Sequence, residues 1–424
     1  MKKNKHILLV RSGYPSKEFI LKKLKEFKYY VIVLDTKKSC PDYLVDEWIL
    51  TNSLDNTQAI EAIKQYLRKA NKKIDGVITF WEEAVIATAA IAQELSLPGI
   101  DPRKAEEIKN KYTFRSFCKM NNFNTPFFSF LTEKDVIDEK IKNKLPFPLV
   151  VKPIYGAASA FVMKVDSWEE LRNAFFIIKK YIKSFWLANE WKNFDLFIEQ
   201  YIDGQEVDID LLIQEGEIKF WSITDNFQTH EPFFVETGQA IPTNLSHNKQ
   251  QQLIEMASNI LRTAKIRNGC IHFEAKYSSC GPIPIEINLR MGGDEVYSFI
   301  KNAWGVDLIE NAVKISLGEK IEVKKPNKPL MYLEGRYFLP HCEGKISKIF
   351  IDPTLIKDPS LFELKIVKKM GDNIFLPPKD YDYFGWITTK GRTAEKAHEA
   401  LLRLYPKVQF SVKEYEQNQF QMYF

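Results

Sequence analysis

Residues 272–294, HFEAKYSSCGPIPIEINLRMGGD, constrain the fold of this chain more than any other stretch. Two alternating runs flank a turn-rich SSCGP, a pattern that predicts a β-hairpin. With the turn centred on Cys280, Glu274 falls opposite Glu286 and His272 opposite Asn288. Side chains alternate faces along a strand, so Glu286, Asn288 and Arg290 point the same way. The other face carries Ile271, Phe273, Ile285, Ile287 and Leu289, an apolar set suited to a core. Like charges directly opposed on neighbouring strands repel, so the Glu274–Glu286 pair calls for a reason. Carboxylates with an amide oxygen beside them suit Mg²⁺ (or Mn²⁺), which takes one or two carboxylates together with substrate phosphates. Arg290 ends the row and offers a planar fork to a carboxylate or phosphate. The plain alternative is a solvated strand face, where Glu and Asn are ordinary.

A chain of 424 residues has room for two or three domains of ~100–200 residues. The net charge of +5 comes from 60 basic against 55 acidic residues. The excess is dispersed, with no dense Lys/Arg block interleaved with aromatics, so nucleic acid is not an expected partner. The five cysteines lack CxxC spacing, which suggests free thiols in a reducing compartment and no zinc site. The apolar run Ile7–Val10 is too short for a signal peptide. No stretch approaches the ~20 apolar residues of a membrane span. The expectation is a cytoplasmic protein without a membrane partner, its assembly state open, a homodimer included.

Along the chain, HILLV and YVIVL, the helical spacing of Phe19–Phe27, and a strand at 76–80 predict a small parallel α/β domain. A helix covers 82–95. Asp101-Pro102 starts another, read as one helix through residue 120 that carries both Lys109 and Lys111. Pro146 and Pro148 bracket the entry to the strand Leu149–Lys152. A strand and the helix Trp168–Tyr181 follow, then a helix over 246–264. VDLIENAVKISLG forms a helix with Gly318 at its C-cap. KKPNKP reads as a linker, and the tail carries strands and a helix at Thr393–Leu404. The division this gives is 1–104, 105–190, 191–325 and 326–424.

Several residues carry chemistry by placement. Lys152 ends the apolar run LVVK, and an ammonium there is costly unless an anion meets it. Glu206, Asp208 and Asp210 share one strand face. PIYGAASAFV is a loop of small residues in which Ser159 keeps a hydroxyl for a phosphate. In HEPFFVETGQAIPTNLS, polar groups alternate with aromatics, as in a wall for a small polar substrate. His230 and His272 are the histidines nearest these motifs, and either is also satisfied as an ordinary polar residue.

Glu286-x-Asn288-x-Arg290, with Glu274 on the preceding strand, resembles the metal site of the ATP-grasp enzymes. Other motifs follow in that family's order: NKYTFR with Lys111, PLVVKP with Lys152, the 153–162 lid loop, FIEQYIDGQEVDIDLL with Glu199 and Glu206, and the DNFQ-to-NLS loop of 225–246. That loop resembles the amino-acid ligase branch, and the stretch from about Glu206 to Gly293 resembles the carnosine synthases. The resemblance spans roughly residues 75–400. It implies an α/β ATP-grasp fold, two α+β lobes clasping ATP, preceded by a small parallel α/β (Rossmann-like) domain, with a carboxyl-terminal domain after them. It implies Lys111, Lys152 and the lid's Ser159 at the phosphates, Glu199, Gln200 and Ile202 at the adenine edge, and Glu206 at the ribose. Glu274, Glu286 and Asn288 would hold Mg²⁺ (or Mn²⁺), and Arg290 the reacting carboxylate. Glu236, Gln239, Gly292, Gly293 and Asp294 would face the substrate. Two departures stand out: the lid keeps only Gly156 where the family is glycine-rich, and Gln239 replaces a frequent histidine.

The activity so implied is an ATP-dependent carboxylate–amine ligase that joins small amino acids, or an amino acid and an amine, through an acyl phosphate. The alternatives are a ligase acting on a different small carboxylate and a nucleotide-binding regulatory protein with impaired catalysis.

Overall fold

Residues 5–70, 72–293 and 295–415 of the computed structural model are described. HILLV and YVIVLD become adjacent parallel strands, His6–Val10 and Tyr30–Asp35. Ile7, Leu9, Val31 and Val33 pack into one core, and Leu8, Val10, Ile32 and Leu34 into another. Both faces are covered, so these strands read as continuous apolar runs. Glu47–Leu50 and Gly76–Ile78 flank them in the same four-stranded sheet. The helices expected over Phe19–Phe27 and 82–95 are Glu18–Glu26 and Val85–Glu94. The strand Glu47–Leu50 is not among the expected elements. Its apolar residues are only Trp48, Ile49 and Leu50, a run too short to mark a strand, and of them only Ile49 is buried.

The helix expected from Asp101 to residue 120 is two helices, Pro102–Lys109 and Lys111–Met120. Asn110 lies between them with φ −75° and ψ 110°. Its side-chain oxygen accepts from the Thr113 N–H at 2.9 Å, an N-cap that a continuous helix would forgo. Lys111 is therefore the first residue of a helix, not a mid-helix neighbour of Lys109.

The smaller lobe is an antiparallel sheet in the order Phe128–Leu131, Leu196–Gln200, Leu149–Pro153, Met163–Val165, with the helix Trp168–Tyr181 on its core. The larger lobe is an eight-stranded sheet. Its order is Gly281–Asn288, Gly269–Ser278, Gln205–Gln214, Glu217–Asn226, Gly238–Ile241, Tyr332–Phe338, Gly385–Gly391, Leu361–Ile366. Strands of the tail thus continue the larger lobe's sheet, and no break marks residue 325. A smaller sheet of Asn373–Ile374, Gly344–Ile351 and Val408–Glu414 completes the tail.

One face of the large sheet rests on the helix His247–Thr263 through Ile209, Leu211, Ile271, Phe273, Ile287 and Leu253. The opposite face changes character along its length. Near one end Cys270 and Leu212 are buried in the same core as the helices Val296–Trp304 and Leu308–Ser316. Two to four residues along the same strands, that face carries His272, Glu274, Asp210 and Asp208. There it forms the floor of a cavity.

Candidate active site between the lobes

The hairpin register puts Glu274 directly opposite Glu286 and His272 opposite Asn288, as the alternation predicts. The route to that register differs from the expected one. Ser278 pairs with Gly281, so the turn is Ser279–Cys280 and not centred on Cys280. The ladder then shifts between Glu274 and Ala275, which pairs with Pro284 and leaves Ile285 as the extra residue of a bulge. A bulge adds one residue and restores the register at the carboxylates. It also turns Ile285 out of the expected core set and into the cavity wall. Arg115, from the helix begun by Lys111, donates through Nη1 to the Pro284 carbonyl beside the bulge.

The cavity has a volume of about 690 Å³ and lies between the smaller lobe, the large sheet and the first domain. On the next strand Asp208 stands opposite Glu274, and Asp210 opposite His272, so the floor is a grid of acids around one imidazole. His272 Nδ1 lies 2.9 Å from Asp210 Oδ1, and Nε2 lies 3.8 Å from Asp208 and 3.9 Å from Glu274. Burial pushes this histidine down, but the charges of Asp210 and Asp208 more than reverse that, to about 10. Asp208 is pushed by burial up to about 7 and accepts from Asn226 (2.9 Å) and Gln239 (3.2 Å).

Burial, and then the charge of Glu286, push the Glu274 carboxyl well above its ordinary range. For Glu286, burial acts in the same direction but the Lys111 ammonium at 2.7 Å outweighs it and lowers the group. Such a crowded acidic pair fits a divalent cation. Asn288 donates to Glu274 at 3.0 Å and lines a small side cavity with Lys109 and Glu286 rather than the main one. Among the described residues, no three His, Cys, Asp or Glu side chains form a complete metal cage.

Lys152 and Glu199 occupy neighbouring strands of the smaller lobe, 2.5 Å apart. Arg115 Nε binds the other Glu199 oxygen at 2.6 Å. All three are buried. Burial raises the Glu199 carboxyl, and the Arg115 and Lys152 charges overcome it and hold it at about 2. The Glu199 side chain thus holds Lys152 in the cavity wall. Gln200 is exposed and lies off that wall.

Ile202 and Glu206 line the same cavity with Tyr201 and Phe234. Lys276, which the sequence reading leaves out, reaches Glu206 at 3.5 Å and the Ile202 carbonyl at 3.3 Å. Its ammonium sits 5.0 Å from the Tyr201 ring and 5.8 Å from that of Phe234. Lys276 lies two residues beyond Glu274 on a strand of period two, the signal that could have found it. Ser159 lines the cavity from the lid, as do Glu236 and Gln239 from the 225–246 loop. Ala158, Ser159 and Phe161 take φ of 56°, 51° and 62°, a left-handed backbone that costs non-glycine residues roughly 1 kcal/mol each.

Arg290 lines the cavity and is held on several sides. Nε lies 2.9 Å from Glu82 of the first domain, Nη1 donates to the Met291 carbonyl at 2.8 Å, and Nη2 to Asn288 at 3.4 Å. Lys109 donates to Glu82 at 2.9 Å. Burial raises the Glu82 carboxyl, while Lys109 and Arg290 bring it down to about 2. Gly293 reaches the cavity and Gly292 does not. A Cβ on Gly292 would come within 2.7 Å of His272 Nδ1, so this glycine makes room for the imidazole. Asp294 lies outside the described residues.

The ATP-grasp domain model matches residues 145–298, and the ATP-grasp N-terminal domain model residues 30–99. Carnosine synthase 1 of Gallus gallus is 28% identical over 365 residues, covering 80% of this chain and 38% of that protein. Its Homo sapiens counterpart is 25% identical, covering 74% of this chain and 40% of that protein. The chain thus spans about two fifths of the length of these curated relatives. An L-amino acid ligase structure from Bacillus licheniformis superposes with a TM-score of 0.80 over 98% of this chain and 100% of that one, at 22% identity. With these matches on the same lobes that form the cavity, the chain belongs to the ATP-grasp superfamily, and the branch it resembles is that of the amino-acid ligases.

Proposed function

We propose that this protein is an ATP-dependent carboxylate–amine ligase that joins two amino acids, or an amino acid and an amine. The observation that carries the reading is the half-buried Glu274–Glu286 pair, lining a single cavity with Lys111 and Arg290. The names of the carnosine synthases and of the L-amino acid ligase it resembles support the same class.

In this reading the nucleoside lies against Tyr201, Ile202, Phe234 and Lys276, with Glu206 at the ribose. Lys152 and Lys111 meet the phosphates. Mg²⁺ at Glu274 and Glu286, with Asn288 supporting Glu274, would neutralise phosphate charge. Arg290, aimed by Glu82, holds the substrate carboxylate. A carboxylate oxygen attacks the γ-phosphorus, the bond to ADP breaks, and an acyl phosphate forms beside the guanidinium. The amine nitrogen then attacks the acyl carbon, phosphate leaves, and the nitrogen loses a proton. Glu236 and Gln239 stand on the substrate side of the cavity.

The test is a screen of paired amino acids and amines with Mg²⁺ and ATP, reading phosphate release together with product mass. The expected result is release that depends on both acceptors, with a condensed product 18 mass units below their sum. Phosphate release indifferent to added substrates, with no condensed mass, would reject the ligase reading in favour of a nucleotide-binding role.

A further inference from the structure

The lid carries an unfavoured backbone at Phe161, and such a conformation persists only where its surroundings over-determine it. Here the surroundings come from far along the chain. The Phe161 N–H donates to the Tyr381 hydroxyl at 2.6 Å. The Tyr381 ring lies 6.1 Å from those of Phe161 and Phe185 and 6.4 Å from that of Phe233. Phe233 belongs to the 225–246 loop and bridges to Met163, just after the lid. Tyr381 thus closes a cluster that joins lid, smaller lobe and substrate-side loop.

The segment around Tyr381 has a second end. Tyr383, two residues on, lines the active cavity, its ring 5.1 Å from that of Tyr337. Between them Asp382 accepts from Lys368 and from the Phe375 N–H at 2.9 Å, which ties the segment to its own domain. One short stretch of the tail therefore touches the lid through one side chain and the cavity through another.

We propose that Tyr381 is a positioning residue for the lid: its hydroxyl and ring hold the 158–162 backbone over the phosphate end of the cavity, and the Tyr381–Tyr383 segment links that hold to the substrate end. The purpose of the lid rests on the ligase reading; the anchoring does not.

Tyr381→Phe keeps the ring and removes the acceptor. Hydrogen–deuterium exchange on the full chain without nucleotide should show residues 158–162 exchanging about fivefold to tenfold faster, the factor for one lost hydrogen bond. The strand Leu196–Gln200 should stay unchanged. Asp382→Asn, which loosens the segment without touching the lid, should move the same amides in the same direction by less. Titration with a non-hydrolysable ATP analogue and Mg²⁺ should give a Kd about threefold or more weaker for Tyr381→Phe, since a lid closed for less of the time lowers apparent affinity by that fraction. Wild-type exchange at 158–162 in the variant overturns the anchor. Faster exchange with an unchanged Kd overturns the positioning role. A wild-type chain that binds no nucleotide overturns the ligase reading and the positioning role, while the exchange result still decides the anchor.

Discussion

Lys111 Nζ lies 2.7 Å from the Glu286 carboxylate on the cavity floor. The lysine starts a helix and the glutamate sits on the return strand of the hairpin, so the ion pair joins two segments far apart in the chain. In the ligase reading each partner has another task, the lysine at the phosphates and the glutamate at the cation.

Glu286→Gln removes the charge and keeps the volume. Phosphate release should fall by about 100-fold or more, with a stability loss of about 1–2 kcal/mol from the weakened pair with Lys111. Kinetics and a melting curve on the same sample decide it. Near-normal turnover would take Glu286 out of the site.

The buried Arg115–Glu199–Lys152 cluster makes stability depend on acid. The Glu199 carboxyl is held at about 2 against an ordinary 4.5. Its contribution is therefore fully present above about 4.5 and is lost as pH falls through about 2. Glu199→Gln should lower stability at pH 6 by on the order of 2–4 kcal/mol, and the gap from wild type should narrow between pH 5 and pH 2. Denaturant melts at a series of pH values give the gap, in which the other carboxylates cancel. A gap that does not change with pH would mean that Glu199 titrates normally.

Arg290→Lys keeps the charge but cannot reach Glu82, Asn288 and the Met291 carbonyl at once. We expect kcat to fall about 100-fold or more, comparable to the loss of one oxyanion donor, with ATP affinity nearly unchanged. If ATP binding is the main defect, Arg290 belongs to the nucleotide end and the assignment fails.

Gly292→Ala places a Cβ 2.7 Å from both His272 Nδ1 and Val296 Cγ2. Overpacking of this kind costs roughly 1–3 kcal/mol. The variant should melt lower and lose activity together, because the displaced imidazole contacts Asp210 and neighbours Glu274. A wild-type melting curve would show that the site has slack there.

The sequence by itself determined what depends on local periodicity. Period-two alternation puts Glu274 and Glu286 on one sheet face, the apolar run before Lys152 makes a buried strand, and 3.6-residue spacing marks most of the helices. These patterns arise from side-chain direction and burial within a few residues, so a linear reading reaches them. Even there the hairpin register came out right at the carboxylates although the turn was misplaced, since the bulge at Ile285 made up the missing residue. Only the tertiary structure decided which distant groups converge. Arg115 meets the Pro284 carbonyl 169 positions away, and Phe161 meets Tyr381 across 220. Glu82 aims Arg290 from a separate domain, Glu199 turns its carboxylate to Lys152, and Gly292 leaves room for the His272 imidazole. Each of these contacts exists because packing brings together polar groups, charges and close-fitting side chains from distant segments, which must be paired or accommodated once buried, and no local pattern records which partner the fold supplies.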